Sequence, residues 1–329
     1  MLVLGASGFV GGAVAHAARL AGWQVRGAGR RRPLGCAETA IVDLAEPESL
    51  RAACRGATVV VHAAGLAHVT EAGRDAEFES VNVRGTAAVL QAAAAEGVRR
   101  VVLVSSVSVY GDAAAPAEDL GEAAPCRPAS AYARSKLAGE AVARQAAAAA
   151  GLELTIVRLA TAYGPGDPGN VARLMRVIDR GRFVWIGAGE NRKTLIHVAD
   201  AGRALASAAA PGAPGGIYNL GAAPVTMAAI VGELALALGR SVPALRIPKG
   251  PVLAATRLLP GLGRRGAALA GRVRKWITDD VYDAGRFAHA FDWHPTVSLR
   301  AGIQSEVAWY RGDRRGRASA APAERASPA

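Results

Sequence analysis

Short runs of consecutive apolar residues alternate with longer alanine-rich stretches through the first half of the chain. Strands that are apolar at every position are typical of a parallel sheet buried on both faces. The predicted strands are 1–4, 24–28, 40–42, 58–62, 100–105 and 152–158. The predicted helices between them are 9–20, 48–54, 77–96 and 130–150. This alternation predicts an α/β fold with a doubly wound parallel sheet.

The pattern becomes irregular after Tyr163-Gly164-Pro165-Gly166. Helices are predicted near 171–180, 198–209, 226–238 and 299–310, with Gly- and Pro-rich connections between them. We therefore predict a smaller C-terminal substrate lobe over the carboxyl edge of the sheet. The division predicted is a cofactor-binding domain at 1–165, with 195–221 returning to it, and a lobe formed by 166–194 and 222–310. The Arg/Ala/Ser/Pro-rich end, 311–329, is predicted to be a disordered tail.

The composition restricts the function classes further. The 329 residues are 51% hydrophobic, which allows a sizeable core, and the net charge is +12. Arginine carries most of this charge, and we expect it to be spread along the chain. Such a charge suits anionic ligands such as nucleotide phosphates. We predict no nucleic-acid partner, because no basic run is interleaved with aromatic residues and no zinc-finger spacing occurs.

The cysteines and the longest apolar stretch bear on the compartment. Cys36, Cys54 and Cys126 are scattered and odd in number, which favours a reducing, cytoplasmic location. The first predicted strand begins at Met1 without a basic segment, so we expect no secretory signal peptide. Arginines interrupt the apolar stretch 251–270, so we expect no membrane span, although a helix lying on a membrane surface is an alternative there. The histidines have no metal-ligand spacing, and we expect no metal.

A glycine loop follows the first predicted strand: Gly5-Ala6-Ser7-Gly8-Phe9-Val10-Gly11. Glycines at this spacing allow a tight turn and a close approach of the backbone to a pyrophosphate, and the N-terminus of the next helix then faces that anion. We therefore predict a nicotinamide dinucleotide site of the Rossmann type. The cofactor-binding residues predicted in the loop are Gly5, Ser7, Gly8, Phe9, Val10 and Gly11.

The end of the second strand bears on the choice between NAD and NADP. An acidic residue there would bind the adenosine ribose hydroxyls and favour NAD. Gly29 stands at that position and Arg30 follows, and a guanidinium can hold a 2′-phosphate. NADP is therefore slightly favoured over NAD, with a solvated arginine loop as the alternative. Asp43 is predicted to hold the adenine amino group, and Ala63-Ala64-Gly65 to pass beneath the cofactor.

A candidate proton-transfer group lies further along the chain. It consists of Ser106, Tyr132 and Lys136. Tyr132 and Lys136 are four residues apart in a predicted helix, which places them about 6 Å apart on one face. A tyrosine acting as a base near pH 7 needs its pKa lowered by about three units, which a nearby ammonium favours. Ser106 ends the fifth strand and can orient a substrate oxygen. Together these residues predict hydride transfer between a carbinol and a carbonyl.

These motifs resemble those of an extended short-chain dehydrogenase/reductase of the NAD-dependent epimerase/dehydratase family. The resemblance covers about residues 1–310. Its further supports are Asp43-Leu44, His62-Ala63-Ala64-Gly65, Asn82-Val83-x-Gly85-Thr86, Ser105-Ser106-x-Ser108-Val109-Tyr110-Gly111, Arg158 with Tyr163-Gly164-Pro165, Ile196-His197-Val198-x-Asp200 and Tyr218-Asn219-Leu220-Gly221.

The resemblance implies roles for further residues. Leu44, Asn82, Tyr132 and Lys136 are placed at the cofactor site, with Asn82 near the active site. The predicted substrate-binding residues are His68, Ser106, Ser108, Tyr132, Arg173 and Lys193. Arg173 and Lys193 stand where such enzymes bring cations to a substrate diphosphate, although Lys193 replaces the usual arginine. The helices at 77–96 and 130–150 often pair across a two-fold axis in this family, so a homodimer is predicted.

The resemblance leaves two main activities open. The family's nucleotide-sugar 4,6-dehydratases carry Asp-Glu where Val107 and Ser108 stand here, so dehydration is disfavoured. The segments around 65–69 and 79–83 are similar to those of nucleotide-sugar 4-epimerases and 4-ketoreductases. We therefore expect one of these two activities on a small-molecule nucleotide sugar. The alternatives are an NADPH-dependent reductase of a non-sugar ketone or hydroxysteroid-like substrate and, more remotely, a non-catalytic NADP(H)-sensing protein.

Overall fold

The structure is a computed structural model that describes residues 1–33, 35–67, 73–111, 120–242 and 244–319. Seven strands form its central sheet: β1 (Leu2–Leu4), β2 (Arg26–Gly29), β3 (Glu38–Ile41), β4 (Val59–His62), β5 (Arg100–Ser106), β6 (Glu153–Leu159) and β7 (Gly216–Leu220). Their order is β7-β6-β5-β4-β1-β2-β3, and every neighbouring pair is parallel. The predicted α/β fold with a Rossmann-type doubly wound sheet is confirmed.

Helices cover both faces of this sheet. They are α1 (Phe9–Leu20), α2 (Pro47–Cys54), α3 (Asp75–Phe78), α4 (Gly85–Ala95), α5 (Ala131–Ala150) and, after a stretch in the second lobe, α7 (Val198–Ala208). All residues of β1 and β4 are buried, as expected for strands covered on both sides. The helix predicted at 77–96 differs in detail, because a π-helical segment, Glu79–Arg84, separates α3 from α4.

The two faces of the sheet carry separate apolar cores. Val3 and Val61 pack toward α1 and α7, whereas Leu2 and Leu4 pack toward α2, α4 and α5. The segment predicted to return to this domain, 195–221, contributes α7 and β7. A Cβ added to Gly202 of α7 would lie 2.5 Å from the carbonyl oxygen of Ala13 in α1. These two helices therefore pack at a distance that only glycine permits.

The second lobe is built around three helices, α6 (Asn170–Asp179), α8 (Met227–Leu238) and α12 (Leu299–Ser319). Their buried faces form one apolar cluster that includes Met175, Leu234 and Ile303. Three short strand pairs border the lobe: Thr161–Tyr163 with Leu195–His197, Arg192–Lys193 with Val225–Thr226, and Trp185–Ile186 with Arg246–Ile247. The helices predicted to form the homodimer contact, 77–96 and 130–150, lie outside this lobe. The homodimer itself stays a prediction.

Three further helices of the lobe were not among the predicted helices: α9 (Lys249–Leu258), α10 (Gly263–Ile277) and α11 (Gly285–Phe291). For 251–270, a helix on a membrane surface was the stated alternative. Gly and Pro are frequent around α9 and its apolar side chains are mostly exposed, so its helical periodicity is weak. Helix α12 continues to Ser319, so 311–319 is helical where the composition predicts disorder. Residues 320–329 lie outside the described part. None of the described helices is long and apolar enough to cross a membrane.

Candidate active site

The glycine loop lies at the carboxyl edge of the sheet, between β1 and α1. Gly5 has φ +85°, and a Cβ added to it would lie 2.7 Å from the amide nitrogen of Ala64. A Cβ on Gly11 would overlap the carbonyl oxygen of Gly5. A backbone folded this tightly fits the cradle that a dinucleotide pyrophosphate needs. The observed loop thus matches the conformation that the glycine spacing requires.

The start of α1 adds to this cradle. Gly8 is the N-cap residue, no side chain caps the helix, and its first turn has no acidic residue. The first N–H groups of α1, in the turn that begins with Phe9 and Val10, therefore remain for an anion. The Phe9 ring lies beside Gly166, where an added Cβ would be 3.8 Å from Phe9 Cδ2. The loop that opens the second lobe thus borders the predicted cofactor site.

The ends of β2 and β3 hold the residues predicted to choose the cofactor. A Cβ on Gly29 would lie 2.8 Å from Ser7 Oγ, so no acidic side chain fits there without a shift of Ser7. Arg30 is exposed, and among the described residues it has no hydrogen-bond or ion-pair partner. Asp43 is exposed beyond β3, and its Oδ1 accepts the N–H of Ala45 at 3.0 Å. Leu44 beside it packs against Gly85 at the start of α4.

Asn82 fixes the segment that follows β4. Its Oδ1 accepts the N–H of Leu66 at 2.8 Å, and its Nδ2 donates to the Leu66 carbonyl at 3.1 Å and to Ser135 Oγ at 2.9 Å. Asn82 is 3% exposed and lies in the π-helical segment. The asparagine therefore ties the loop Ala63-Ala64-Gly65 to α5, which places this loop between the glycine cradle and the helix that carries Tyr132 and Lys136.

Lys136 lies where these elements meet. Its Nζ donates to the carbonyl oxygen of Val104 in β5 at 2.8 Å, and a Cβ added to Gly65 would lie 3.4 Å from the same Nζ. Burial lowers the pKa of Lys136 to about 8, while the charge of Glu140 opposes that shift. The ammonium is thus held at the carboxyl edge of the sheet, beside the loop predicted to pass beneath the cofactor.

Tyr132 and Ser106 complete the predicted group. Ser130 caps α5 by accepting the N–H of Ala133 at 3.1 Å, so Tyr132 lies in the first turn of this helix. The Tyr132 ring is half-buried and its centroid is 6.2 Å from that of Phe78. Ser106 ends β5, and its Oγ accepts the N–H of Ser108 at 3.2 Å. Both residues therefore lie on elements that Lys136 bridges.

The hydroxyl group of Ser108 is in an unusual environment. Its Oγ is buried and has no hydrogen-bond partner in the described part of the chain. Burying a hydroxyl without a hydrogen-bond partner costs free energy, unless a ligand or a water molecule supplies that partner. Ser108 follows Ser106 by two residues in a 3-10 turn, Val107–Tyr110, so this position suits a polar group of a bound substrate.

A buried polar network behind Lys136 escaped the sequence analysis. Arg158 of β6 donates to Glu140 through Nη2 at 2.7 Å and to the Tyr110 hydroxyl through Nη1 at 3.0 Å. Ser105 Oγ donates to Glu140 Oε1 at 2.5 Å. Glu140 follows Lys136 by one helical turn, and this spacing was the signal that could have revealed it. The network anchors α5, which carries the predicted catalytic residues, to β5 and β6.

Three predicted substrate-binding residues lie elsewhere or outside the described part. Lys193 is 7% exposed and its Nζ donates to the carbonyl oxygens of Lys275 and Thr278 at the end of α10. It therefore caps that helix rather than presenting a free cation. Arg173 is exposed on α6, with a 3.4 Å contact from Nη1 to Asn170 Oδ1. His68 lies outside the described residues.

Comparison with known proteins agrees with this architecture. A model of the NAD dependent epimerase/dehydratase family matches residues 1–221. The chain is 31% identical to UDP-glucose 4-epimerase of Mycolicibacterium smegmatis, over 94% of this chain and 98% of that protein. It is 29% identical to N-acetyl-alpha-D-glucosaminyl-diphospho-ditrans,octacis-undecaprenol 4-epimerase of Escherichia coli, over 92% of each. The structure of MoeE5 in complex with UDP-glucose and NAD is 26% identical, with a TM-score of 0.76 over 95% of this chain and 99% of that one.

Proposed function

We propose that this chain, which belongs to the NAD dependent epimerase/dehydratase family, acts on a nucleotide sugar by hydride transfer at a sugar carbinol or ketone. It is an enzyme of the extended short-chain dehydrogenase/reductase type. The activity proposed is that of a UDP-sugar 4-epimerase or 4-ketoreductase. The observation that carries the proposal is the placement of Lys136 between Val104 and Gly65, which puts the catalytic helix against the predicted cofactor loop.

Each catalytic residue has a separate task in this proposal. Tyr132 takes the proton of the sugar hydroxyl, or returns it, during oxidation or reduction of that carbon. The Lys136 ammonium favours the phenolate form of Tyr132 by its charge. Ser106 orients the substrate oxygen by a hydrogen bond. The nicotinamide cofactor, when bound, supplies the hydride acceptor and donor.

The site also bears on which reaction is catalysed. Val107 and Ser108 bring no carboxyl group to the positions where dehydratases of this family carry one, so elimination of water is not proposed. Two relatives named above are 4-epimerases, and the sugar in each name is linked to a diphosphate. In one name the diphosphate belongs to UDP, and in the other it is attached to undecaprenol. These names support chemistry at carbon 4 of such a sugar. They do not favour the alternative of a non-sugar ketone or hydroxysteroid-like substrate.

The features that bear on the cofactor favour different dinucleotides. The glycine cradle fits a dinucleotide, and MoeE5 was solved with NAD. Gly29 and the unpaired guanidinium of Arg30 favour NADP, because a 2′-phosphate would find a cation there and no carboxylate. A 4-epimerase regenerates its own hydride carrier and so benefits from retaining it, whereas a one-way reductase must exchange it. The identity of the retained cofactor therefore also discriminates between the two activities.

The first experiment is to denature the purified protein and identify any nicotinamide that it releases. Retained NAD, together with interconversion of UDP-glucose and UDP-galactose, supports the epimerase. An empty site that binds NADPH much more tightly than NADH supports the 4-ketoreductase, which is then tested on UDP-4-keto sugars. Tyr132→Phe should abolish turnover and retain cofactor binding. A protein that binds neither nicotinamide cofactor would overturn the proposal.

A further inference from the structure

The net positive charge of this chain is concentrated in one part of the second lobe. Between Glu233 and Asp279 the sequence has nine Lys or Arg residues and no acidic residue, while the whole chain has a net charge of +12. The expectation of a charge spread along the chain is therefore wrong. This stretch contains α9, the 3-10 turn Leu259–Leu262 and α10, which together we call the basic hairpin.

Helix α9 of the basic hairpin is mostly exposed. Thr256 is the one buried residue of α9, and Arg274 of α10 contacts its hydroxyl at 3.5 Å. Lys249 and Arg257 are exposed, and among the described residues neither has an ion-pair or hydrogen-bond partner. Two cations on one short helix thus lack the carboxylates that commonly neutralise charges on a protein surface.

Apolar side chains accompany these cations. Leu258 is 78% exposed at the end of α9, and Leu245 is 63% exposed just before the strand that leads into it. Val252 and Leu253 of α9 are half-buried. A helix of a globular domain normally packs its apolar residues against the core. In α9 the buried residue is Thr256 instead. Exposed leucines beside unpaired cations are typical of helices that lie in the interface of an anionic membrane.

Charge and composition argue against other occupants of this surface. A second copy of the chain would bring the same cations together across a two-fold axis, and they would repel each other. Nucleic acids are bound by cations interleaved with aromatic side chains, whereas leucine and valine stand between the cations here. We propose that the basic hairpin docks this protein on the anionic surface of a lipid bilayer. This inference does not depend on the proposed enzymatic function.

Docking by the hairpin would also orient the active site. Asn191 and Lys193 hold the end of α10, and the residue next to Lys193, Thr194, accepts the N–H of Tyr282 at 3.0 Å. The Tyr282 ring stacks on Tyr110 with a centroid distance of 5.7 Å. Tyr110 ends the 3-10 turn that begins beside Ser106. The membrane-facing hairpin and the catalytic turn are therefore joined by a short chain of direct contacts.

The test is sedimentation of the full chain with vesicles of phosphatidylglycerol and phosphatidylcholine, compared with pure phosphatidylcholine. We expect at least about tenfold stronger binding to the anionic vesicles, since each cation near such a surface contributes about 1 kcal/mol. Lys249→Glu combined with Arg257→Glu should weaken binding at least about tenfold. The matched control, Arg99→Glu with Arg180→Glu, changes the net charge equally at exposed positions elsewhere and should leave binding within about twofold.

A second pair of variants tests the apolar contribution. Leu258→Ser and Leu20→Ser replace leucines that are both 78% exposed, and only Leu258→Ser should weaken vesicle binding, by about fivefold or more. Catalytic activity on a water-soluble substrate should be unchanged in all variants, which checks that they fold. The proposal is overturned if the full chain does not bind anionic vesicles, if both double variants lose binding equally, or if a DNA oligonucleotide displaces the vesicles at equal phosphate concentration.

Discussion

The cofactor-binding half and the second lobe each bury a lysine, and the two lysines differ in what surrounds them. Burial lowers the pKa of both Lys136 and Lys193 to about 8. Lys136 donates to Val104 and lies beside Gly65, where a substrate and cofactor would meet. Lys193 donates to the carbonyl oxygens of Lys275 and Thr278. A lowered pKa therefore does not identify a catalytic lysine, whereas its neighbours do.

The same two regions also bury a glutamate each. Glu140 accepts hydrogen bonds from Arg158 and Ser105, so its charge is compensated. Glu306 of α12 is 0% exposed, and neither of its oxygens makes a hydrogen bond of normal geometry within the described residues. Burial, with a smaller contribution from the charge of Asp167, raises the pKa of Glu306 to about 8. Glu140 is thus paired with a guanidinium, whereas burial of Glu306 favours its neutral form.

The largest expected effect tests the two lysines directly. Lys136→Met should lower kcat by about 10³-fold, because Tyr132 loses the ammonium that favours its phenolate. Lys193→Met, the matched variant, should change kcat and KM by less than about threefold. Steady-state kinetics on whichever UDP-sugar the enzyme turns over would measure both, with thermal denaturation to show that each variant is folded. A large rise of KM in Lys193→Met would restore the original prediction of a substrate-binding lysine.

The next effect concerns Glu306 and the way in which the free energy of unfolding depends on pH. The pKa of Glu306 is higher in the folded protein than its ordinary value of 4.5, so the folded state holds this proton more tightly. The resulting stability is fully present below about pH 4.5 and is lost by about 1.4 kcal/mol per pH unit as the pH rises toward about 8. The charges that face Glu306 are Asp167, which opposes its ionisation, and Arg176, which favours it.

Glu306→Gln should remove this loss while other carboxyl groups contribute equally to both proteins. Urea denaturation of the two proteins at pH 5, 6, 7 and 8 would measure the free energies of unfolding. Their difference should change in favour of the variant as the pH rises. A difference that stays constant over this range would show that Glu306 is ionised and partnered in the folded protein.

The smallest effect concerns the structural role of Lys193. Lys193→Met leaves the carbonyl oxygens at the end of α10 without their donor, so the free energy of unfolding should fall by about 1–3 kcal/mol. Lys275→Met is the control, since that side chain is 40% exposed and has one ion pair, at 3.8 Å to Asp280. Its cost should be below about 0.5 kcal/mol. Equal losses in urea denaturation would contradict the capping role.

Sequence reasoning was most successful where structure and chemistry are both local. Six of the seven sheet strands were predicted to within two residues at each end, because runs such as Leu2–Leu4 are apolar throughout. The seventh, Gly216–Leu220, was noticed as a motif and not as a strand, since it joins the sheet only through pairing with β6. Helix α9 was not among the predicted helices, because its apolar side chains are mostly exposed and Gly and Pro are frequent around it.

The site residues also differ in how much of their role could be predicted from local sequence. The glycine loop was predictable because Gly5 and Gly11 are required by the backbone conformation itself. The role of Asn82 came from family resemblance, and its hydrogen bonds to Leu66 and Ser135 became visible only in the structure. Glu140 was overlooked, since a glutamate on a helix is usually solvated and its partner Arg158 lies on another element.

The sequence by itself determined the α/β fold, the glycine cradle and the helix that carries the predicted catalytic residues Tyr132 and Lys136, because periodicity and short motifs depend on neighbouring residues. Only the tertiary structure decided that Lys193 caps α10, since its partner Lys275 is 82 positions away. It likewise decided that Lys249 and Arg257 of the basic hairpin are exposed and, among the described residues, have no carboxylate partner. Burial and partnership arise from contacts between distant parts of a chain, and no local pattern of residues encodes them.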